Sequence, residues 1–285
     1  MEELIPSTQP LPDYCNTLVI DGDAIPYIIG WNNKEHTEIE VVQSAVNQWM
    51  KDFLAITQAP HFIGILAADN AHCFRYDVYK YKPYKGNRQR EKEPWIVYWE
   101  PIIRSILVTE WKFIYAPTEL ETDDVVAFYA NGNPKAVICS PDKDLKQKPG
   151  YFYIIKDLGG ENHKRLEIVD SKQAMRNFCM QLLTGDTTDN IAGVTGMGEV
   201  KAKKLLDETS ELAWIPAIKL AYQKQYGPYY GQIIYEETLA VIQMMTPTHP
   251  LWNIYGNLLT LDLPIQNSAD YGRFVHEEIE RETSL

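Results

Sequence analysis

Residues 17–24, TLVIDGDA, run a short β-branched and apolar stretch directly into Asp21, with a second acid at Asp23. The run Thr17–Ile20 reads as a strand, and the same order recurs along the chain. Phe62–Leu66 precedes Asp69, and Ala136–Cys139 precedes Asp142; further strand-like runs lie at Lys112–Tyr115 and Tyr151–Ile155. Between them, Glu38–Thr57 and Trp95–Val108 read as helices. Strands alternating with helices predict an α/β layered, mostly parallel sheet. Such sheets gather ligands at the carboxyl ends of their strands, so acids that follow strands are expected to converge on one edge.

Nine acids fall into five separated clusters: Asp21, Asp69, Glu121 with Asp123 and Asp124, Asp142 with Asp144, and Asp186 with Asp189. A lone Asp after a strand more often caps the next helix. Repetition over five clusters favours one shared site, with Asp23 the member that most resembles a simple cap. Glu121, Asp123 and Asp124 open the helical run DDVVAFYA, where acids suit the helix start and positions three apart share a face. In SPDKDL, Asp142 and Asp144 would point oppositely on an extended chain, so a turn at Pro141 is needed to bring both to one cavity. Converging carboxylates repel one another unless hard divalent cations neutralise them, which predicts Mg²⁺-dependent phosphoryl chemistry. The residues that complete an EF-hand calcium loop are absent.

The 285 residues, 45% hydrophobic, suffice for a substantial ordered core. No stretch approaches a membrane span and the start carries no secretory pattern, so a soluble, cytoplasmic protein is expected. Cys15, Cys73, Cys139 and Cys179 are too dispersed for a zinc knuckle or a short disulfide framework and read as reduced thiols. The six histidines show no metal-ligand spacing. A formal charge of −12 argues against nucleic acid until the clustered acids, which account for most of that surplus, are set aside. Between Lys80 and Lys92, in KYKPYKGNRQREK, six Lys or Arg face one Glu, interleaved with Tyr81 and Tyr84. That pattern suits a phosphate backbone and stacked bases. Lys85 and Arg88 are its candidate catalytic helpers, Tyr84 could either stack on a base or pack, and PWIVYWEP reads as core. After about Asp170 the pattern turns helical. There GVTGMGEVKAKKLL sets Gly193, Gly196 and Gly198 ahead of a helix bearing Lys201, Lys203 and Lys204, the layout of a helix-hairpin-helix clamp that grips a backbone without reading sequence.

Taken in order, VIDGD, AADNAHCFR, YKPYKGNR, ELETDDVVA, CSPDKDL and GDTTDNIAGVTGMG resemble the signature blocks of the flap endonuclease family of 5′ nucleases, and most closely the stand-alone phage 5′-to-3′ exonucleases. The resemblance covers roughly Leu18 to Leu206. It implies a mixed sheet flanked by helices, PIN-like, with a helix-three-turn-helix part. It also implies that Asp21, Asp69, Glu121, Asp123, Asp124, Asp142, Asp144, Asp186 and Asp189 hold two Mg²⁺ ions, for which Mn²⁺ would substitute. Asp123, Asp124, Asp142 and Asp144 are expected to be the inner ligands. By the same resemblance Lys85 and Arg88 contact the reacting phosphate, Lys82, Tyr84, Arg90, Lys201 and Lys203 meet DNA, and Gly193, Gly196 and Gly198 grip a duplex with a potassium ion at the turn.

The expected division is a nuclease core over 14–178, including a basic clamp at 80–95, and a helical DNA-binding region over 179–285. Gly86–Trp95 is short beside the arch helices of many members, which fits an open clamp over a recessed or nicked 5′ end. The implied partner is DNA with a 5′ end, in duplex, nicked or flap form, or an RNA–DNA hybrid, in the company of replication proteins. A PIN-like ribonuclease and a non-catalytic DNA-end binding protein are the competing readings.

Overall fold

The computed structural model describes residues 15–88, 91–154, 165–260 and 263–272. Its centre is β1 (Thr17–Asp21), a strand buried on both faces. In chain order there follow α1 (Ile25–Asn32), α2 (Ile39–Thr57), β2 (His61–Leu66), α3 (Arg75–Val78), α4 (Pro94–Thr109), β3 (Ile114–Tyr115), α5 (Thr122–Gly132), β4 (Ala136–Cys139), β5 (Gly150–Ile154) and β6 (Arg165–Val169). The strand order is β3-β2-β1-β4-β5-β6, parallel except for β6. The chain thus winds from β1 to one side and then from β4 to the other. The resulting switch point lies between β1 and β4, where the carboxyl ends of adjacent strands leave a crevice.

Side-chain alternation explains why β1 reads as a continuous apolar run. Leu18 and Ile20 pack with α1, α2 and α4, while Val19 packs on the opposite face with α5. In α2 the buried residues Val42, Val46, Trp49, Met50 and Phe53 recur at helical spacing, which lays one stripe on the sheet. Pro94 sits at the first turn of α4, where its missing amide costs nothing. The aromatic run within that helix divides by face: Ile96 and Trp99 are buried, whereas Val97 and Tyr98 are at least half exposed. The expectation that the whole run is core is corrected accordingly.

Strand β6 is absent from the sequence expectations. Beyond it come α6 (Ser171–Thr184), a two-residue ladder of β7 (Gly185–Asp186) with β8 (Ile191–Ala192), then α7 (Glu199–Asp207), α8 (Trp214–Tyr226) and α9 (Pro228–Ile242). These helices share a second core built on Leu182, Leu183, Trp214, Ile218 and Tyr222. The β7–β8 ladder depends on close backbone approach. A Cβ on Gly185 would stand 2.3 Å from the Gly193 amide nitrogen, and Gly185 adopts φ +72, so only glycine fits. All four cysteines are free and buried. Among the described residues no helix is long and apolar enough to cross a membrane. Ile155 and Arg90, both included in the sequence expectations, lie outside the described residues.

Candidate active site

A cleft of about 650 Å³ opens at the β1/β4 switch point. Asp21, Glu121, Asp123, Asp142, Asp144, Asp186 and Asp189 line it, together with Lys85 and Arg88. Each arrives for a local reason. Asp21 ends the central strand, and its carboxylate accepts from Ser140 Oγ (2.7 Å), the residue that follows β4. Glu121 caps α5 in a reciprocal capping box with Asp124. The turn at Pro141 forms as required: the Asp142 amide donates to Ser140 Oγ (3.0 Å) and the Asp144 amide to Asp142 Oδ1 (2.7 Å). Asp186 ends β7 and accepts from the Thr188 amide (2.7 Å), which folds the chain back so that Asp189 also faces the cleft.

Crowding of carboxylates sets the electrostatics. Burial, with Asp23 beside it, lifts Asp21 to about 7. Burial and Asp142 lift Asp144 to about 8. Asp123 is driven well above the usual carboxylate range by burial and then by Asp21 and Asp142, and Asp142 is raised by burial and by Asp186 and Asp189. Glu121 goes the other way. Burial alone would raise it, but Arg75 and Lys85 outweigh that and hold it at about 2.

The basic segment is strapped to the far wall. The Lys85 amide donates to the Asp189 carbonyl (2.8 Å), Asn190 Nδ2 to the Pro83 carbonyl (2.8 Å) and Asn87 Nδ2 to the Thr187 carbonyl (2.6 Å). Lys85 adopts φ +54 to turn inward. Its ammonium pairs with Glu121 and stands 3.8 Å from Asp189, while Arg88, half exposed, pairs with Asp189.

At Asp124 the structure corrects the sequence reading, and at Tyr84 it decides between two open ones. Asp124 is no inner ligand. It is fully buried, both of its oxygens are held by Arg75 (2.6 and 2.9 Å), and one also accepts from the Met245 amide (2.9 Å). One helical residue further than Asp123 turns it about 100° away from the cleft. Of the two readings left open for Tyr84, the structure shows packing. The residue is 4% exposed and its ring packs edge-on against Tyr76, and its hydroxyl lies 2.8 Å from a carboxylate oxygen of Glu121 and 2.8 Å from one of Asp189, with its one proton to share between them.

Asp69 stands apart from the others, 77% exposed, on the wall of a neighbouring cavity of about 610 Å³. Of the arginines that hold acids of this region, Arg75 closes the AADNAHCFR block without an assigned role there, and Arg104 carried no sequence signal. Each is an isolated cation within an apolar or mixed segment, and their partners Asp124 and Asp23 are 49 and 81 residues away.

The glycine turn lies beside the cleft and forms another cavity, lined by Gly193, Gly196, Gly198 and Lys82. Gly196 takes φ +75, Gly198 caps α7, and Lys201 Nζ donates to the Gly196 carbonyl (2.9 Å), so the turn already attracts a cation. Lys201 and Lys203 are exposed.

Among the described residues no three acids form a ready-made ligand set for a metal ion. The donor set nonetheless fits hard cations. It consists of carboxylate oxygens that resist ionising together, and Asp144 Oδ1 is buried without a hydrogen-bond partner.

No family model matches the chain. It is 29% identical over 161 residues to the DNA polymerase I of Rhizobium leguminosarum, an alignment covering 54% of this chain and 16% of that protein. It is 25% identical over 200 residues to the flap endonuclease Xni of Pseudoalteromonas translucida (strain TAC 125), covering 65% of this chain and 74% of the relative. Among solved structures it is similar to T5 5′-exonuclease with divalent zinc bound, at a TM-score of 0.62 and 15% identity, over 94% of this chain and 97% of that one. The structural likeness is one of fold.

Proposed function

We propose that this chain, which resembles the 5′ nucleases of the flap endonuclease family in sequence and fold, hydrolyses DNA phosphodiesters near 5′ ends and depends on divalent cations, Mg²⁺ foremost. The observation that carries the reading is the meeting of Asp21, Asp123, Asp142, Asp144 and Asp186 in one cleft with Lys85 and Arg88 at its rim. A nuclease needs negative groups to hold cations and positive groups to draw in the phosphate, and a binding module has no use for the former.

Asp21, Asp123, Asp142 and Asp144, with Glu121, Asp186 and Asp189, would hold the ions, and Asp69, on the adjoining wall, would act on them through water. Two divalent cations, when bound, supply activation of the attacking water and stabilisation of the leaving oxygen. The chain's own residues do the rest. Ser140 fixes the Asp21 carboxylate. Lys85 and Arg88, now paired with Glu121 and Asp189, would exchange those partners for the scissile phosphate and offset its charge. Cleavage would leave a 5′ phosphate. Lys201, Lys203 and the Gly193–Gly198 turn would hold the duplex backbone irrespective of sequence, with a potassium ion at the turn. In this reading 14–178 is the catalytic part and 179–285 the part that positions DNA.

The test is product length from 5′-flap and blunt duplex DNA, labelled at the 5′ end and separately at the 3′ end, with Mg²⁺ or EDTA. Mg²⁺-dependent release of short 5′ fragments supports the proposal. DNA binding without cleavage would replace it with a non-catalytic end-binding role.

A further inference from the structure

We infer that Arg104 and Asp23 form a positioning pair that brackets Ala67 and thereby fixes the loop bearing Asp69 at the wall between the acidic cleft and the adjoining cavity; this rests on the metal-dependent reading above. Ala67 is the first residue after β2. Its amide donates to Asp23 Oδ1 (3.0 Å) and Oδ2 (3.3 Å), while its carbonyl accepts from Arg104 Nη2. The bracket closes on itself, because Arg104 Nη1 donates to Asp23 Oδ1 (3.0 Å). Thr122 Oγ1, from the first turn of α5, donates to Asp23 Oδ2 at 2.6 Å. Both oxygens of Asp23 are therefore engaged within the protein. Although it lies two residues from Asp21 and lines the same cleft, it acts as an anchor and not as a ligand.

Arg104 is the partition between the two cavities. It is 8% exposed, it lines both the acidic cleft and the adjoining cavity, and its Nη2 stands 3.5 Å from Asp69 Oδ1. Asp69 is two residues beyond Ala67, so the direction in which the loop leaves β2 is set by Asp23 and Arg104. The planar two-pronged guanidinium is what allows one side chain to hold a carboxylate and a carbonyl together, a geometry an ammonium does not reproduce. Removing it would also leave the partly exposed Asp23, beside Asp21, without its cationic partner.

The experiment measures binding of Mn²⁺ alone to the full chain by electron paramagnetic resonance, without DNA. It compares the unmodified protein with Arg104→Gln, Arg104→Lys, Asp69→Asn and the Arg104→Gln/Asp69→Asn double variant. Partners that orient a ligand typically change metal affinity 10–100-fold. Arg104→Gln should therefore weaken Mn²⁺ binding roughly tenfold or more, with Arg104→Lys weakened to a smaller extent. The double variant should bind no more weakly than Asp69→Asn, because both changes act through one carboxylate.

Losses that multiply in the double variant would overturn the inference. So would an Asp69→Asn protein that binds Mn²⁺ like the unmodified one, or an Arg104→Gln protein with a lowered melting temperature and unchanged affinity. Should Arg104→Gln fail to fold, Arg104→Lys carries the same comparison. No Mn²⁺ binding by the unmodified protein defeats the metal reading and this inference together, whereas normal binding that is insensitive to Arg104 defeats the inference alone.

Discussion

Arg75 holds Asp124 through two hydrogen bonds of 2.6 and 2.9 Å, with the Arg75 side chain 3% exposed and that of Asp124 fully buried. The same guanidinium donates through Nε to the Val241 carbonyl (2.9 Å) and stands 3.3 Å from Glu121. One side chain thus joins the start of α5, which bears Asp123, to the end of α9 in the helical part. Breaking a buried pair by removing one partner strands the other charge, at a cost of about 3–5 kcal/mol. Arg75→Leu should lower stability to urea by that order.

Lys85→Ala should reduce the cleavage rate with less effect on substrate affinity, since its neighbours Glu121 and Asp189 remain in place and only the charge offered to the phosphate is lost. Loss of one such donor typically costs roughly 10²–10³ in kcat. Single-turnover cleavage of a 5′-flap substrate, set beside equilibrium binding of the same DNA, separates the two effects.

The cleft acids make a pH dependence in the absence of metal. Asp21 is held at about 7 and Asp144 at about 8, against about 3.9 for an Asp in an unfolded chain. Between these values the native state keeps protons that the unfolded chain has released, so stability falls as pH rises from about 4 toward about 8. Glu121, held at about 2, acts oppositely: its stabilisation is present above its ordinary value and is lost as pH falls through about 2. In EDTA the melting temperature should therefore decline from about pH 5 to about pH 8, and Mg²⁺ should flatten the slope.

Lys201→Ala and Lys203→Ala should weaken duplex binding evenly across sequences. Each should reduce the slope of log affinity against log salt by about 1. Gly196→Ala should weaken binding as well, because φ +75 strains any residue with a side chain. Binding isotherms at several salt concentrations decide both points.

The sequence reveals β1 and β4 because both faces of these strands are buried, which makes their apolar runs continuous and bounds them with acids and turns. The gathering of acids at the carboxyl edge follows from that pattern, whereas the strand order that puts the switch point between β1 and β4 does not. β6 stayed hidden because Arg165 and Glu167 interrupt its apolar residues on the outer strand of the sheet. Adjacent identical acids are likewise not separable by residue type. Asp123 and Asp124 differ only in which way the helix turns them, and Asp124 finds a buried arginine 49 residues away. The anchoring of Asp23 by Arg104, across 81 residues, and the burial of Tyr84 are similarly tertiary facts with no local spacing to announce them.

The central claim is that the cleft at the end of β1 and β4 is where DNA is cut. Asp142→Ala/Asp144→Ala tests it most directly, because both residues line the cleft and neither pairs with Arg75 or Arg104. On a 5′-flap duplex with Mg²⁺, the unmodified protein should release short 5′ fragments. The double variant, folded and still able to bind the duplex, should release none on the same timescale. Cleavage by the double variant at the unmodified rate would place the chemistry elsewhere and contradict the account.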